Sequence, residues 1–559
     1  MGREISRICQ NLKKTVKFKK IILKVHKYLK RGCSIFDYCD IMLIENEARQ
    51  KEVIFLERIG IIDLGSNSAR LVIVEMLGDG HFIVIDQLKE SVRLGKDMER
   101  DGFLKPARIA ETIKTLKMFR RLCDAYGIER INAVATAAVR RAKNQRSFLD
   151  EVAATCGIKL RVLSAEEEAL AVYRGVVNTM DVPKGVILEI GGGSTKIAYY
   201  NRRNLLAYET LPFGSVTLTE LFGNDGLTPQ EQTEKIEEFF TEQLKQIEWL
   251  NTIDPETQLI GVGGSFRTVA KINKMIRKCP LNIIHNYTIE GEEYDEIYGK
   301  IRAMDLDKKK RIRGISSSRA DILPAALAII NAFMHYCNFE RFTVSACGLR
   351  EGLMFNYAMP MTVERPISDV LGYSLNTLVK YYGCNQNHVD HTVMLSIQLF
   401  KQLRVLHKFP RQYLKILKVA ATLHDAGETV KYYDYHKHSA YIILNSQLYG
   451  ISHREIVLAA LVCVAHKSDD LNMSDWAKYK DYVTEDDVDA IRKLGIILRI
   501  AESLDRSMSG CIHGINCDVL GDSVIMKTEV DGDATLEIKD ALNAGSDFKR
   551  IFHKNLEIL

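Results

Sequence analysis

The sequence predicts an α/β protein with a duplicated front half, followed by an all-α domain and a small C-terminal unit that contains β-structure. Two stretches predict the duplication, because 58–74 and 185–200 each combine an apolar strand, an acid, a turn rich in Gly, Ser or Asn and a second apolar strand. The helical domain is predicted because the apolar residues between Pro366 and Arg506 recur at helical spacing. Two copies of one supersecondary unit indicate two similar halves that share a cleft.

The order of elements in each half predicts its topology. In the first half, a third strand at Ile83–Leu88 follows the hairpin, and helices then alternate with strands. The second half restarts at Lys184 with strands at 186–190, 195–200 and 205–211. A three-stranded meander followed by strand–helix alternation is the order of a ribonuclease H-like domain. We therefore predict two ribonuclease H-like domains, at 58–181 and 182–362.

The other boundaries follow from changes in charge and apolar pattern. Residues 1–57 are rich in Lys and Arg and are predicted to form a solvated basic extension. The alternative is a basic amphipathic helix that contacts a membrane, nucleic acid or another polyanion. Helical spacing predicts an all-α domain at 363–508. Residues 509–559 are predicted to form a small α+β unit, with strands at 523–529 and 534–539.

Composition excludes several other classes of protein. At 559 residues the chain is too long for one hydrophobic core, so several domains are expected. A formal net charge of +5 is too small to indicate a nucleic-acid partner. No apolar run approaches the roughly 20 residues that span a bilayer, and the 12 cysteines form no Cys-x-x-Cys pair. We therefore expect a cytoplasmic protein with reduced thiols and no membrane span.

The Gly-rich turns predict a phosphate site. Glycine lets the backbone approach a ligand closely, so several N–H groups can converge on an anion without supplying a nucleophile. Basic residues beside the loops can hold the rest of a polyanion, although each one alone is more often a surface charge. Lys196, next to the second loop, is a further cation of this kind. The predicted phosphate-binding residues are Gly65, Ser66, Asn67, Ser68, Gly191, Gly192, Gly193, Ser194, Thr195, Gly264, Ser265, Arg93, Arg140 and Arg267.

Acids at the ends of the two strands predict a metal ion. Asp63 and Glu189 each precede a phosphate-type turn. A carboxylate repels phosphate unless a hard cation lies between them, so we expect Mg²⁺ at Asp63 and Glu189. The alternative for Asp63 is a turn acid that accepts hydrogen bonds from local N–H groups.

A run of three glutamates predicts the general base. Glu166, Glu167 and Glu168 open a helix, and Ser164-x-x-Glu167 has the pattern of a capping box. Acids in a first helical turn are favoured by the helix dipole, which is the alternative explanation. The functional hypothesis is that one of them enters the cleft and activates water.

The helical domain carries a second candidate metal site. His391, His424, Asp425 and Asp505 combine imidazole and carboxylate groups on separate helices. Such a set suits a second divalent cation, Mn²⁺, Mg²⁺ or Fe. The alternative is a helical domain that has lost its metal.

Taken together, these motifs resemble those of one family. The stretches are Asp63-Leu-Gly-Ser-Asn-Ser, Ser164-Ala-Glu-Glu-Glu-Ala, Ile190-Gly-Gly-Gly-Ser-Thr, Gly263-Gly-Ser and Leu349-Arg-Glu-Gly. In this order they resemble the exopolyphosphatase/guanosine-pentaphosphate phosphohydrolase (Ppx/GppA) family, and the helical segment resembles an HD-type domain. The resemblance implies the actin-like ATPase fold and Mg²⁺-assisted removal of a terminal phosphate. It also implies a homodimer.

The resemblance assigns roles to particular residues. It places the catalytic glutamate on Glu167 and the acid before the Gly-Gly-Gly turn on Glu189, where the family usually has Asp. His391, His424, Asp425 and Asp505 match the H…HD…D pattern of HD hydrolases.

The expected function is processive exopolyphosphatase activity on inorganic polyphosphate. The alternative is removal of the 5′-phosphate from guanosine pentaphosphate. Three other hypotheses are an HD-domain phosphodiesterase whose front half senses polyphosphate or a guanosine penta- or tetraphosphate alarmone, an actin-like sugar or acetate kinase, and a regulator that binds the alarmone without turnover.

Overall fold

The computed structural model describes residues 57–223, 226–359, 365–467 and 477–559. The predictions for residues 1–56 lie outside this part of the chain. Within it, no helix is both long enough and apolar enough to cross a membrane.

The first half is a five-stranded mixed sheet with helices. Its strands lie in the order β3-β2-β1-β4-β5, antiparallel across the two hairpins and parallel from β1 to β5. The helical segment after β4 is divided in two, because Ala142 has an extended backbone. The elements are β1 (Arg58–Leu64), β2 (Ala69–Gly78), β3 (His81–Glu90), α1 (Pro106–Ala125), β4 (Arg130–Ala135), α2 (Ala137–Arg141), α3 (Gln145–Cys156), β5 (Leu160–Val162) and α4 (Ala165–Val177).

The second half repeats this topology in a six-stranded sheet. Its order, β8-β7-β6-β9-β11-β10, is that of the first sheet with β10 added as an antiparallel edge strand. The predicted duplication is therefore confirmed. The elements are β6 (Lys184–Ile190), β7 (Thr195–Asn201), β8 (Asn204–Leu211), α5 (Ser215–Phe222), α6 (Pro229–Leu244), β9 (Gln258–Val262), α7 (Gly264–Ile276), β10 (Tyr287–Glu290), α8 (Gly291–Arg302), α9 (Leu306–Lys310), α10 (Leu323–Tyr336), β11 (Arg341–Ser345) and α11 (Leu349–Ala358).

Glycines allow α4 and α11 to cross with their backbones in contact. A Cβ atom on Gly352 would lie 1.8 Å from the carbonyl oxygen of Ala171, and one on Gly175 would lie 2.1 Å from that of Gly348. No larger residue fits at either position without a backbone shift. This crossing joins the two halves through the C-terminal half of α4 and the N-terminal end of α11.

The rest of the chain is helical and then mixed. Seven α-helices in the described residues precede three strands and two further helices, and the strands pair in the order β12-β13-β14. The elements are α12 (Val370–Tyr382), α13 (Gln386–Gln402), α14 (Arg404–His407), α15 (Gln412–Leu423), α16 (Tyr435–Asn445), α17 (His453–Ala465), α18 (Glu485–Ser503), β12 (Ile512–Leu520), β13 (Ser523–Val530), α19 (Thr535–Leu542), α20 (Gly545–Phe552) and β14 (Asn555–Ile558).

Two expectations for the C-terminal region are corrected. The strand predicted at 534–539 is wrong, because α19 occupies that segment. Its buried residues Ala534, Glu537 and Ala541 recur at a spacing of three to four, which is a helical face. The boundary predicted at residue 508 does not separate two cores either, because strand residues Ile512 and Val524 share one apolar cluster with Leu395 of α13.

The contact between α4 and α11 is testable by adding one methyl group. We expect Gly352→Ala to lower the free energy of unfolding by about 1–3 kcal/mol, because the methyl group must displace the backbone of α4. In Gly299→Ala, a helical control with no neighbouring atom within 4 Å, stability should rise by about 0.4–1 kcal/mol. Urea unfolding followed by circular dichroism measures both values. Similar changes in the two variants would contradict the proposed packing.

Candidate active site

Two equivalent hairpin turns form opposite walls of a cleft. In the β1–β2 turn the Gly65 N–H donates to the Ser68 carbonyl at 3.1 Å, and in the β6–β7 turn the Gly191 N–H donates to the Ser194 carbonyl at 2.9 Å. The turns also touch each other, since a Cβ atom on Gly193 would lie 2.8 Å from the Ser66 hydroxyl oxygen. The duplicated sequence pattern thus produces two matched loops that face one another.

The loops enclose a pocket of about 110 Å³. Ligand pockets usually measure roughly 300–1,000 Å³, so this pocket accommodates the end of a ligand rather than a whole cofactor. The structure brings together most of the predicted phosphate-binding residues. Those that line the pocket are Gly65, Ser66, Asn67, Ser68, Gly191, Gly192, Gly193, Ser194, Gly264 and Arg267.

Four predicted phosphate-binding residues do not line the pocket. The Thr195 hydroxyl donates to the Phe213 carbonyl at 2.8 Å. Ser265 is buried at the start of α7. Arg93 is bound to both oxygens of Asp321, at 2.8 and 3.0 Å. The fourth, Arg140, donates to the Glu168 carboxylate at 2.9 Å.

Glu167 lies outside the pocket, which corrects its predicted role as the general base. Its carboxylate accepts from the Ser164 N–H at 2.9 Å and completes the predicted capping box. Arg161 binds its other oxygen at 2.5 Å, and the side chain is 46% exposed. Helix capping and contact with solvent therefore explain the position of the Glu167 side chain.

Glu168 is the glutamate that faces the cleft. Its side chain is 5% exposed and lines the pocket. Arg140 donates to one carboxylate oxygen at 2.9 Å and to the Leu163 carbonyl at 2.9 Å. Burial raises the pKa of Glu168, but Lys196 and Arg140 outweigh this effect and the resulting pKa is below the usual value. Glu168 is therefore a carboxylate held in place at neutral pH.

Lys196 lies between the acids of the cleft. It pairs with Glu189 across the β6–β7 hairpin, and its Nζ lies 2.6 Å from Glu189 and 2.7 Å from Glu168. Burial lowers the pKa of Lys196, but the two carboxylates raise it above its usual value. The ammonium is therefore charged although the side chain is 3% exposed.

Glu189, which was predicted to bind Mg²⁺, and its neighbour Glu168 do not fit a metal ion between them. Mg²⁺ requires about six oxygen ligands at roughly 2.0–2.1 Å, and the Lys196 ammonium lies between Glu168 and Glu189. Asp63 faces Arg70 across the β1–β2 hairpin. Burial raises the pKa of Asp63 despite the opposing effect of Arg70 and Arg350.

Several arginines crowd the pocket, and sequence reasoning missed three of them: Arg70, Arg319 and Arg350. Burial, followed by the nearby Arg70, lowers the pKa of Arg267 to about 9 and that of Arg319 to about 10. Such crowding of like charges disfavours the empty pocket and favours a polyanion. Two of the three had a sequence signal, since Arg70 is in register with Asp63 and Arg350 lies in the Leu349-Arg-Glu-Gly stretch. No sequence pattern indicated Arg319, which reaches the pocket from a single 3₁₀ turn at Ser317–Arg319.

The helical domain contains a separate His-Asp cluster. Ligand atoms of His388, His424 and Asp425 lie within 4.8 Å of one another. The Nε2 atom of His424 is buried and has no hydrogen-bond partner among the described residues, so it is available to a cation. This donor set fits a divalent transition metal.

Two of the residues predicted for this site, His391 and Asp505, lie outside the cluster. His391 is not part of the cluster, because its Nε2 is hydrogen-bonded to the Ile512 carbonyl at 2.6 Å and its Nδ1 lies 2.7 Å from Asp505. His388 takes its place, and the sequence prediction had missed it. Asp505 lies 2.7 Å from the Nδ1 of His388 and so orients this histidine. Burial lowers the pKa of His388, but hydrogen bonds to Asp425 and Asp505 raise it to about 9.

A pocket of about 250 Å³ with charges of both signs adjoins the cluster. His388 and Asp425 line it together with the basic residues Lys467, Arg499 and Arg506 and the acidic residues Glu428, Glu502 and Asp540. An anionic ligand in this pocket would lie next to the cluster.

Known proteins match both parts of the chain. The sequence profile of the Ppx/GppA phosphatase family matches residues 72–359, and the profile of Ppx/GppA phosphatase, domain III, matches residues 372–543. The chain belongs to the Ppx/GppA phosphatase family. The front half accordingly has the actin-like fold of these enzymes, and the family consists of hydrolases that act on phosphoanhydrides.

Individual relatives within this family carry different names. A guanosine-5′-triphosphate,3′-diphosphate pyrophosphatase of Pseudoalteromonas translucida (strain TAC 125) is 27% identical over 421 residues, which is 73% of this chain and 80% of the relative. The crystal structure of an exopolyphosphatase from Cytophaga hutchinsonii is 26% identical, with a TM-score of 0.52 over 55% of this chain and 99% of that one. The crystal structure of an Aquifex aeolicus Ppx/GppA family member is 27% identical, with a TM-score of 0.47 over 55% of this chain and 99% of that one.

Proposed function

We propose that the front cleft removes the terminal phosphate of inorganic polyphosphate. The observation that carries this proposal is the end-sized pocket between two Gly-rich turns, which Arg70, Arg267, Arg319 and Arg350 line together. None of the described residues that line this pocket is aromatic, so it offers no stacking surface for a base. These features suit a terminal phosphoryl group on a polyanion.

Glu168 is the residue that positions the attacking water. The water oxygen forms a bond to the terminal phosphorus while the bond from that phosphorus to the bridging oxygen breaks; the shortened chain leaves with its negative charge, and the water proton passes to an oxygen of the released phosphate. Phosphoryl transfer has a loose transition state that demands little proton abstraction beforehand. A carboxylate of low pKa is therefore adequate, because its main task is orientation. The guanidinium groups stabilise the charge on the transferred and leaving oxygens.

Guanosine pentaphosphate is the alternative substrate. The relative from Pseudoalteromonas translucida, named a guanosine-5′-triphosphate,3′-diphosphate pyrophosphatase, favours it. A pocket of about 110 Å³ would admit the 5′-terminal phosphate and leave the guanosine outside. Both substrates present the same terminal group, so the walls of the cleft beyond the pocket decide between them.

The helical domain supports a second candidate activity, metal-dependent hydrolysis of a phosphate ester. The observation that favours it is the buried Nε2 of His424, which makes no hydrogen bond to the described residues and lies 3.2 Å from an Asp425 oxygen, beside His388. A divalent cation held by these three residues would supply an activated water. Lys467 and Arg499 would bind the phosphate in the adjoining pocket. This site matches the HD-type hypothesis with His388 in the position assigned to His391.

Substitution of each of the two adjacent glutamates distinguishes their roles. We expect Glu168→Gln to lower kcat for phosphate release from polyphosphate by at least about 100-fold, because the water loses its positioning carboxylate. Glu167→Gln should change kcat by less than about twofold, since its side chain only caps a helix and meets solvent.

Both variants are assayed by phosphate release from polyphosphate and from guanosine pentaphosphate, with melting temperatures to verify folding. The substrate with the higher kcat/KM in the unmodified protein is the preferred one. A large loss in a folded Glu167→Gln variant, with activity retained in Glu168→Gln, would contradict the assignment. Loss of release in Asp425→Ala alone would place the chemistry in the helical domain.

Metal binding by the helical domain can be measured directly. We expect one Mn²⁺ or Fe²⁺ per chain, and more than about 100-fold weaker binding in His388→Ala. His391→Ala acts only through Asp505, so the expected loss is about 10–100-fold. His513→Ala, at an exposed position on β12, is the control and should bind normally. Metal is counted by elemental analysis after dialysis, and affinity is measured by calorimetry. Equal effects of His388→Ala and His513→Ala would rule out the site.

A further inference from the structure

We propose that the Lys196 ammonium is the resident cation of the phosphate cleft and replaces a protein-bound divalent metal. The cleft then binds and hydrolyses phosphate chains without Mg²⁺ held by its carboxylates. The catalytic part of this proposal rests on the proposed function, whereas the metal-binding part does not.

The position of Lys196 is the first line of support. The side chain extends from β7 and is almost completely buried, with Nζ 2.6 Å from Glu189 and 2.7 Å from Glu168. These are the distances of charge-assisted hydrogen bonds. The two carboxylates could chelate a cation only by releasing the ammonium, which would then be buried without a partner.

Charge balance is the second line of support. Glu168 and Glu189 carry two negative charges, and Arg140 and Lys196, which contact them at 2.6–2.9 Å, carry two positive charges. Two monovalent side chains thus supply the charge that one Mg²⁺ would bring. A divalent ion added to this neutral group would create an uncompensated charge of +2 in a buried site.

The duplicated fold provides the third line of support. In the first half Asp63 lies opposite Arg70 across its hairpin, just as Glu189 lies opposite Lys196 in the second half. Arg70 and Lys196 both line the pocket. Each half therefore directs one fixed cation toward a phosphate that lies between the two turns.

The binding experiment counts Mn²⁺ by electron paramagnetic resonance on the full chain without substrate. Every protein carries Asp425→Ala, which silences the helical site. We expect this chain to hold no Mn²⁺ with Kd below about 1 mM. Adding Lys196→Glu should create a site at least tenfold tighter, because a third carboxylate replaces the ammonium. Lys300→Glu, the same charge change at a side chain that is 65% exposed, is the matched control and should create none.

The activity experiment uses tripolyphosphate with excess chelator or with 1 mM Mg²⁺ at about physiological ionic strength. We expect rates in the Asp425→Ala chain to agree within about threefold, and Lys196→Glu to depend on Mg²⁺ by more than tenfold. Lys300→Glu corrects for Mg²⁺ bound by the substrate itself. If no protein releases phosphate under either condition, the proposed function fails, while the Mn²⁺ counts still decide the role of Lys196.

Two outcomes would overturn the proposal. One is a tightly bound Mn²⁺ in the Asp425→Ala chain that disappears in Glu189→Gln. The other is a folded Lys196→Glu protein that gains no Mn²⁺ site. If Lys196→Glu does not fold, Lys196→Gln takes its place, because it exposes the same two carboxylates and should gain weaker Mn²⁺ binding.

Discussion

The cleft depends on one buried group of charges that connects the two halves of the duplicated domain. The first half contributes Arg140 and Glu168, and the second half contributes Glu189 and Lys196. Each half therefore supplies one acid and one base that pair with each other, and the contact between Lys196 and Glu168 at 2.7 Å joins the two pairs. Removing one member of such a group leaves its partner charged and buried, which costs several kcal/mol, about 3–5 in measured cases. The same contacts that join the halves hold the water-positioning carboxylate.

Around this balanced group the pocket carries an excess of positive charge, because four arginines line it together with only two further acids, Asp63 and Glu351. The pKa values of Arg267 and Arg319 are lowered first by burial and then by Arg70. A site that crowds like charges is less stable than a neutral one would be, and a bound polyanion relieves the repulsion. Backbone contact between the Gly-rich turns keeps these groups in place before the ligand arrives, which is the requirement for electrostatic catalysis.

The helical domain follows a different chemistry. Its His388, His424 and Asp425 offer two imidazole groups and one carboxylate as possible ligands for a metal ion. Asp505 bridges His388 and His391, and His391 in turn contacts the backbone of β12. Because the C-terminal strands share the apolar core of the helices, this chain of contacts ties the orientation of His388 to the last part of the protein.

Features that depend on residues close together in the chain could be predicted from the sequence alone. These include the two matched hairpins, the order of strands, the capping box at Ser164 and the family. The direction in which a side chain points, and therefore which residue enters a site, follows only from the tertiary structure. Consecutive helical residues point about 100° apart, so only the packing of α4 places Glu168 in the cleft and leaves Glu167 outside. Packing also decides between His388 and His391, which lie about one turn apart on α13. His391 contacts the backbone of β12 and is therefore not available to the metal site. Lys196 became the partner of Glu168 only when the two halves met, since the two residues lie on separate elements that no local pattern connects.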